Sequence, residues 1–116
     1  MSPRSAGGGA APAAKSAAPL FAALGDETRY RLLVRLSTGG PGSITRLSHN
    51  ARVSRQAITK HLRVLSGAGL VRSARRGRER IWELQPARLA DAHRFLEHIA
   101  KGWDDALARL KSFVER

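Results

Sequence analysis

Five side chains in one short stretch are equipped to do chemistry together. In residues 54–65, "SRQAITKHLRVL", the polar side of a helix would carry Arg55, Gln56, Thr59, Lys60 and Arg63, with no carboxylate among them. Arginine offers a fork of donors, glutamine a donor beside an acceptor, and threonine a hydroxyl beside a methyl. Such a set suits the edges of bases, while lysine and the remaining arginine suit phosphates. A helix face that needs only water usually mixes its charges.

Other chemistries find less support. No serine or threonine stands in a recognisable motif with a paired histidine and acid. The glycine-rich stretches 7–9 and 39–42 lack the strand-to-helix context of a phosphate-cradling loop. Four histidines raise the question of a metal, but zinc needs three or four ligands in correct geometry. The absence of cysteine excludes disulfides, thiolate metal sites and a cysteine nucleophile. We expect no enzyme, no cofactor and no metal site.

The net charge of +12 is unevenly placed. Residues 28–78 hold twelve Lys or Arg and no Asp or Glu, whereas residues 79–116 hold seven of each sign. Like charges repel, so folding alone gives no reason for the first distribution. A polyanionic partner does. A codon bias toward arginine would raise arginine throughout but would not remove every acid from that half. Nucleic acid is favoured over a membrane surface, because no basic amphipathic helix stands apart from the core.

The elements that must position these residues follow from pattern. The 116 residues make one small domain, which a partner subunit would help to stabilise. No apolar run is long enough to span a membrane. Residues 1–18, "MSPRSAGGGAAPAAKSAA", read as a low-complexity disordered tail without a signal-peptide core, so the expected location is the cytoplasm. Order is expected from Pro19 to residue 116. A short first helix with Leu20, Phe21 and Leu24 stops at Gly25, and Asp26 or Thr28 caps a second. Ser43 caps a third helix with Ile44 and Leu47 facing inward, and Ser54 caps a fourth. In the fourth, Ala57, Ile58, Leu62 and Leu65 recur at helical spacing. Two strands, 70–74 and 80–84, then flank the tip Arg75-Arg76-Gly77-Arg78, with Gly77 supplying positive φ. The result is a mainly α fold, a winged helix-turn-helix of about five helices with a two-stranded wing.

The last helix begins at Pro86, a favourable first helical residue. Leu89, Ala92, Leu96, Ile99, Trp103, Ala106, Leu110 and Phe113 recur at alternating steps of three and four, a heptad seam over 25 residues. Phe95, Leu107 and Val114 widen it. The rest of the domain is too small to cover this seam, so its outer part should meet a second copy of the chain. Gly102 interrupts the seam and marks a bend or a close helix crossing.

"LFAALGDETRYRLLVRL" and "VSRQAITKHLRVLSGAGLVRSARRGRERIWEL" resemble the ArsR family of bacterial winged-helix regulators, over about residues 19–115. Asp26-Glu27-Thr28-Arg29 is similar to the family's opening of helix two. Residues 54–65 are similar to its recognition helix, and Gly69-Leu70-Val71 with the following Arg/Gly-rich stretch to its wing. The cysteine-free C-terminal helix with Trp103 and Leu107 resembles the branch of small autorepressors. Arg52 stands where the family commonly has glycine, so Asn50 is expected to take the left-handed conformation. The resemblance implies a dimer through the first and last helices, here Leu20, Phe21, Leu24, Leu96, Ile99, Trp103, Ala106, Leu110 and Phe113. It also implies a zinc site in some members, of which Asp91-Ala92-His93 fits half; the later positions are Asp104 and Leu107, so a ligand is missing.

Double-stranded DNA is therefore the expected partner, with itself as the second. Arg55, Gln56 and Thr59 are nominated for base edges, because a recognition helix presents its N-terminal residues to the major groove. Lys60 and Arg63 are nominated for phosphates. Ser54, Ser43 and Thr45 are helix-start residues that could also reach phosphate, and Arg75, Arg76, Arg78 and Arg80 would reach flanking backbone or minor groove. The reading is a homodimeric repressor on a palindromic operator. Three others stay open: a nonspecific architectural DNA binder, a metal-responsive repressor, and a module that docks an acidic protein. No effector is indicated.

Overall fold

The computed structural model describes residues 14–115. In chain order they form α1 (Ala14–Leu24), α2 (Glu27–Gly39), β1 (Gly42–Ser43), α3 (Ile44–Leu47), α4 (Arg55–Gly67), β2 (Val71–Arg76), β3 (Glu79–Leu84) and α5 (Pro86–Val114). The fold class is the one expected, and the helix starts fall where their caps stand. Asp26 accepts the Arg29 N–H at 3.1 Å, so Asp26 and not Thr28 caps α2. Ser43 accepts from Arg46 N at 3.2 Å and Ser54 from Ala57 N at 3.1 Å, each satisfying one donor that the first turn leaves free. Asn50 takes φ 60, as expected, and turns the chain from α3 toward α4.

Several expectations are corrected. First, α1 starts at Ala14, so residues 14–18, assigned to the tail, are helical. The alanine-rich sequence favours a helix, and a distant residue anchors it: Arg88 of α5 donates to Ser16 O at 2.6 Å and Ser16 Oγ at 3.2 Å. Pro19 sits inside α1, where it lacks the N–H that would bond back to the preceding turn. The remainder of the expected tail, residues 1–13, lies outside the described residues.

Secondly, the sheet has three strands in the order β1-β3-β2, all antiparallel. Gly42 pairs with Trp82 and Ser43 with Ile81. This two-residue strand is too short to show a period of two in the sequence. Thirdly, β2 and β3 pair out to Arg76 opposite Glu79, leaving only Gly77 and Arg78 in the turn. Gly77 has φ 61, the conformation that lets a two-residue turn follow the twist of its strands. Arg75 and Arg76 are thus strand residues with a fixed register and do not belong to a loop.

The core lies between α1, α2, α4 and the sheet, where Leu20, Ile58, Leu62, Leu65, Leu70 and Val71 are essentially excluded from water. Apolar burial of this kind contributes about 25 cal/mol per Å². Leu20, expected at a subunit interface, has 0% exposure within one protomer and no surface left for a second. Leu24 is also packed against this core, and the Phe21 ring meets Phe95 of α5 at 6.1 Å between centroids.

Only the first part of α5 joins that core, through Leu89, Ala92 and Phe95. Every described residue from Leu96 onward is exposed, including Ile99 at 52%, Trp103 at 66% and Phe113 at 71%. The helix runs unbroken through Gly102, over which nothing packs. A projecting helix raises the radius of gyration to 18.6 Å, against about 13 Å for a compact chain of similar length. Among the described residues no helix is long and apolar enough to cross a membrane.

Candidate nucleic-acid interface

The buried face of α4 turns its other face outward, and Arg55, Gln56, Lys60 and Arg63 are all exposed. Thr59 is half-buried, and its hydroxyl donates to Arg55 O at 3.0 Å. That hydrogen is spent on the helix, so what Thr59 can offer a groove is its methyl and a lone pair. Arg55 Nη2 donates to Thr45 Oγ1 at 2.9 Å, tying the start of α4 to α3. Ser43 and Ser54 use an oxygen lone pair for their caps, which leaves each hydroxyl hydrogen free to meet a phosphate.

The wing supplies a second group. Arg75, Arg76 and Arg78 are exposed, and Arg80 is exposed while donating to Ser73 Oγ at 3.0 Å. Arg72 instead pairs across the ladder with Glu83 at 2.7 Å. The ion pairs of the described residues leave Arg55, Lys60, Arg63, Arg75, Arg76 and Arg78 without a carboxylate partner. Arg52, exposed in the turn before Ser54, is a further cation near the start of α4. In the sequence it stood out only as a departure from the family's glycine and was not nominated as a contact, since an arginine at a turn position was the only available signal.

The polycationic segment is not all directed at a partner. Arg35 donates to Leu47 O at 2.7 Å and His49 O at 2.8 Å. Arg46 donates to Pro41 O at 2.9 Å and also to Gly39 O. Arg29 donates to Ala23 O at 2.7 Å. These guanidiniums satisfy carbonyls that helix ends and turns leave unpaired, and Arg31 pairs with Glu27. Within that segment the cations bound to neither a carbonyl nor a carboxylate are Arg52 in the turn before α4, Arg55, Lys60 and Arg63 of α4, and Arg75, Arg76 and Arg78 of the wing.

The partial metal motif is occupied otherwise. Asp91 Oδ2 accepts from Arg88 at 3.1 Å, and Oδ1 pairs with Arg94. His93 Nδ1 lies 3.4 Å from Glu97, on the exposed side of α5. Among the described residues no three His, Cys, Asp or Glu are grouped to hold a metal. The Asp26 carboxyl is drawn below the usual carboxylate range, chiefly because it accepts the Arg29 N–H, with His61 and the Arg29 charge adding to the effect.

Residues 24–74 match the model of a helix-turn-helix domain. An HTH-type transcriptional regulator of Bacillus subtilis (strain 168), YuzN, is 37% identical over 90 residues, covering 72% of this chain and 90% of that protein. The solved ArsR-like transcriptional regulator from Rhodococcus sp. RHA1 superposes with a TM-score of 0.75 and 41% identity, over 85% of this chain and 92% of that one. The chain belongs to the ArsR family of winged helix-turn-helix transcriptional regulators.

In this ArsR-family regulator α3 and α4 are the helix-turn-helix, and β2–β3 is the wing. It is a DNA-binding transcriptional regulator and not an enzyme. A homodimeric winged helix-turn-helix DNA-binding domain from Mycobacterium bovis shares the fold, with a TM-score of 0.59 and 19% identity over 82% of this chain and 84% of its own.

Proposed function

We propose that this ArsR-family protein is a sequence-specific homodimeric repressor that acts in the cytoplasm on a palindromic operator. The carrying observation is the exposed, acid-free start of α4, where Arg55 and Gln56 stand at the end a major groove would receive. Arg55 suits guanine O6 and N7, and Gln56 suits adenine. Lys60, Arg63 and the wing arginines hold the backbone and set register.

The dimer is supported by α5. Its seam from Leu96 to Phe113 is exposed in one protomer, and an apolar stripe of that length in water is an interface. The homodimeric relative with the same fold points the same way. Because Leu20 is spent on the protomer core and Leu24 partly so, α5 carries the larger share and α1 contributes through its exposed face. Two copies then present two α4 helices to half-sites about one helical turn apart, or a multiple of it.

The test is selection of bound fragments from random-sequence and genomic DNA. A palindromic motif with half-sites at a fixed spacing is the expected result. Equal retention of all sequences would convert the reading to an architectural binder, and no retention at low salt would leave protein docking.

A further inference from the structure

The Asp26–Arg29 motif and His61 have no place in the DNA contacts described above, yet the fold brings them together. Arg29 lies in the first turn of α2 and is half-buried. Its Nε donates to Ala23 O at 2.7 Å and its Nη2 to Ala22 O at 3.3 Å, two carbonyls of the last turn of α1. Its third nitrogen, Nη1, lies 3.2 Å from His61 Nδ1 on α4, a residue 32 positions away. Arginine has no acceptor, so His61 must offer the Nδ1 lone pair and carry its proton on Nε2. Asp26 Oδ2 stands 3.8 Å from the same nitrogen, beyond hydrogen-bond reach, and is engaged with the Arg29 backbone N–H.

We infer that Arg29 is the positioning residue for the recognition helix, gripping the end of α1 with two nitrogens and α4 with the third. The inference rests on α4 being the helix that enters DNA. Ile58, Leu62 and Leu65 hold α4 against the core, but apolar contact is non-directional and tolerates small rotations and slips. A hydrogen bond weakens steeply when misaligned. The Arg29–His61 bond therefore fixes the rotation of α4 about its axis, and with it the direction of Arg55 and Gln56 on the opposite face. Only a planar guanidinium reaches three acceptors on two helices at once; lysine places a single point charge.

The experiment compares His61→Leu, His61→Asn, Arg29→Lys and the Arg29→Lys/His61→Leu double variant in the full chain. Leucine keeps the apolar bulk and removes the acceptor, and asparagine restores an acceptor near the Nδ1 position. His61→Leu is expected to stay folded, to speed amide exchange in α4, and to weaken operator binding about tenfold, the loss of one hydrogen bond to a charged group. His61→Asn should recover most of that affinity. The double variant should bind no more weakly than the weaker single, because the bond that His61→Leu removes is already among those that Arg29→Lys removes. Nitrogen-15 spectra of the unmodified protein should show His61 protonated on Nε2.

A merely structural role would lower the melting temperature of His61→Leu while operator affinity of the folded protein stayed within about twofold, and that result overturns the inference. So would unchanged exchange in α4, additive single effects, or a proton on Nδ1. Gln56→Ala separates this from the reading of bases, since it should leave exchange in α4 unaltered. If Gln56→Ala changes no base preference while His61→Leu still loosens α4 and costs affinity, base reading by Gln56 falls and the role of Arg29 stands.

Discussion

Arg75 of β2 stands directly opposite Arg80 of β3, two cations paired across an antiparallel ladder. Side chains at such positions are close neighbours, and like charges there are destabilising by up to about 1 kcal/mol. Arg80 turns toward Ser73 and not toward an acid. The next pair outward, Arg76 with Glu79, has the favourable arrangement of signs. The wing therefore holds a repulsive pair that a phosphate backbone would relieve.

Arg75→Glu should invert both terms. Opposite Arg80 the new carboxylate gives an attractive cross-strand pair, raising stability by a few tenths of a kcal/mol. The same change should weaken DNA binding and lower the slope of log affinity against log salt by about one or more. Thermal unfolding and a salt series of binding measurements check the two effects. A variant that is both more stable and an equally good binder would remove the wing from the interface.

Gln56 and Arg76 should separate reading from holding. Gln56→Ala should flatten the preference at one position of each half-site, a loss of about 1–3 kcal/mol of discrimination, and barely change the salt slope. Arg76→Ala should weaken all sequences alike and lower the slope by about one. Single-base operator variants measured across salt concentrations decide both. Equal weakening of operator and random DNA by Gln56→Ala would show that Gln56 reads nothing.

Ile99→Asp should yield a folded monomer. Ile99 is half exposed in one protomer, so the substitution leaves the core intact, but in a dimer seam it would bury an unpaired carboxylate at a cost of several kcal/mol. Sedimentation of the unmodified chain should give a dimer, and of the variant a monomer with unchanged helix content. A monomer in both would place the covering of α5 elsewhere.

Asp26 should give the protein an acid limb. Its carboxyl is held below the usual range, first by the Arg29 N–H, so the ionised form is favoured in the folded state. The sign follows: its contribution is complete above the unfolded carboxylate value and is lost as pH falls through the lowered folded value. Asp26→Asn keeps a capping oxygen without titrating there. Urea midpoints taken from about pH 7 to about pH 2 should fall less steeply for the variant. Parallel curves would mean that Asp26 is not titrating differently in the two states.

Much of this architecture was legible because local chemistry and the global fold agree. Ser43, Ser54, Asp26 and Pro86 start helices by satisfying or dispensing with the same free N–H groups. The Ile58, Leu62 and Leu65 stripe declares which face of α4 is inward, and hence that Arg55, Gln56, Lys60 and Arg63 face out. The strand Gly42–Ser43 was not legible, since two residues carry no period. Nor was the true start of α1, which depends on Arg88 reaching Ser16 from α5.

By itself, then, the sequence determined the order of the elements, the basic outward face of α4 and the surplus apolar length of α5, because periodicity and charge are properties of residues close together in the chain. Tertiary structure alone decided which cations are free. Arg29, Arg35 and Arg46 look no different in the sequence from Arg55 or Arg76, yet they are spent on carbonyls that folding brings near. It likewise took Leu20 into the core and set Arg29 against His61. A guanidinium's role is fixed by the acceptors within a few ångströms of it, and those come from parts of the chain that meet only when it folds.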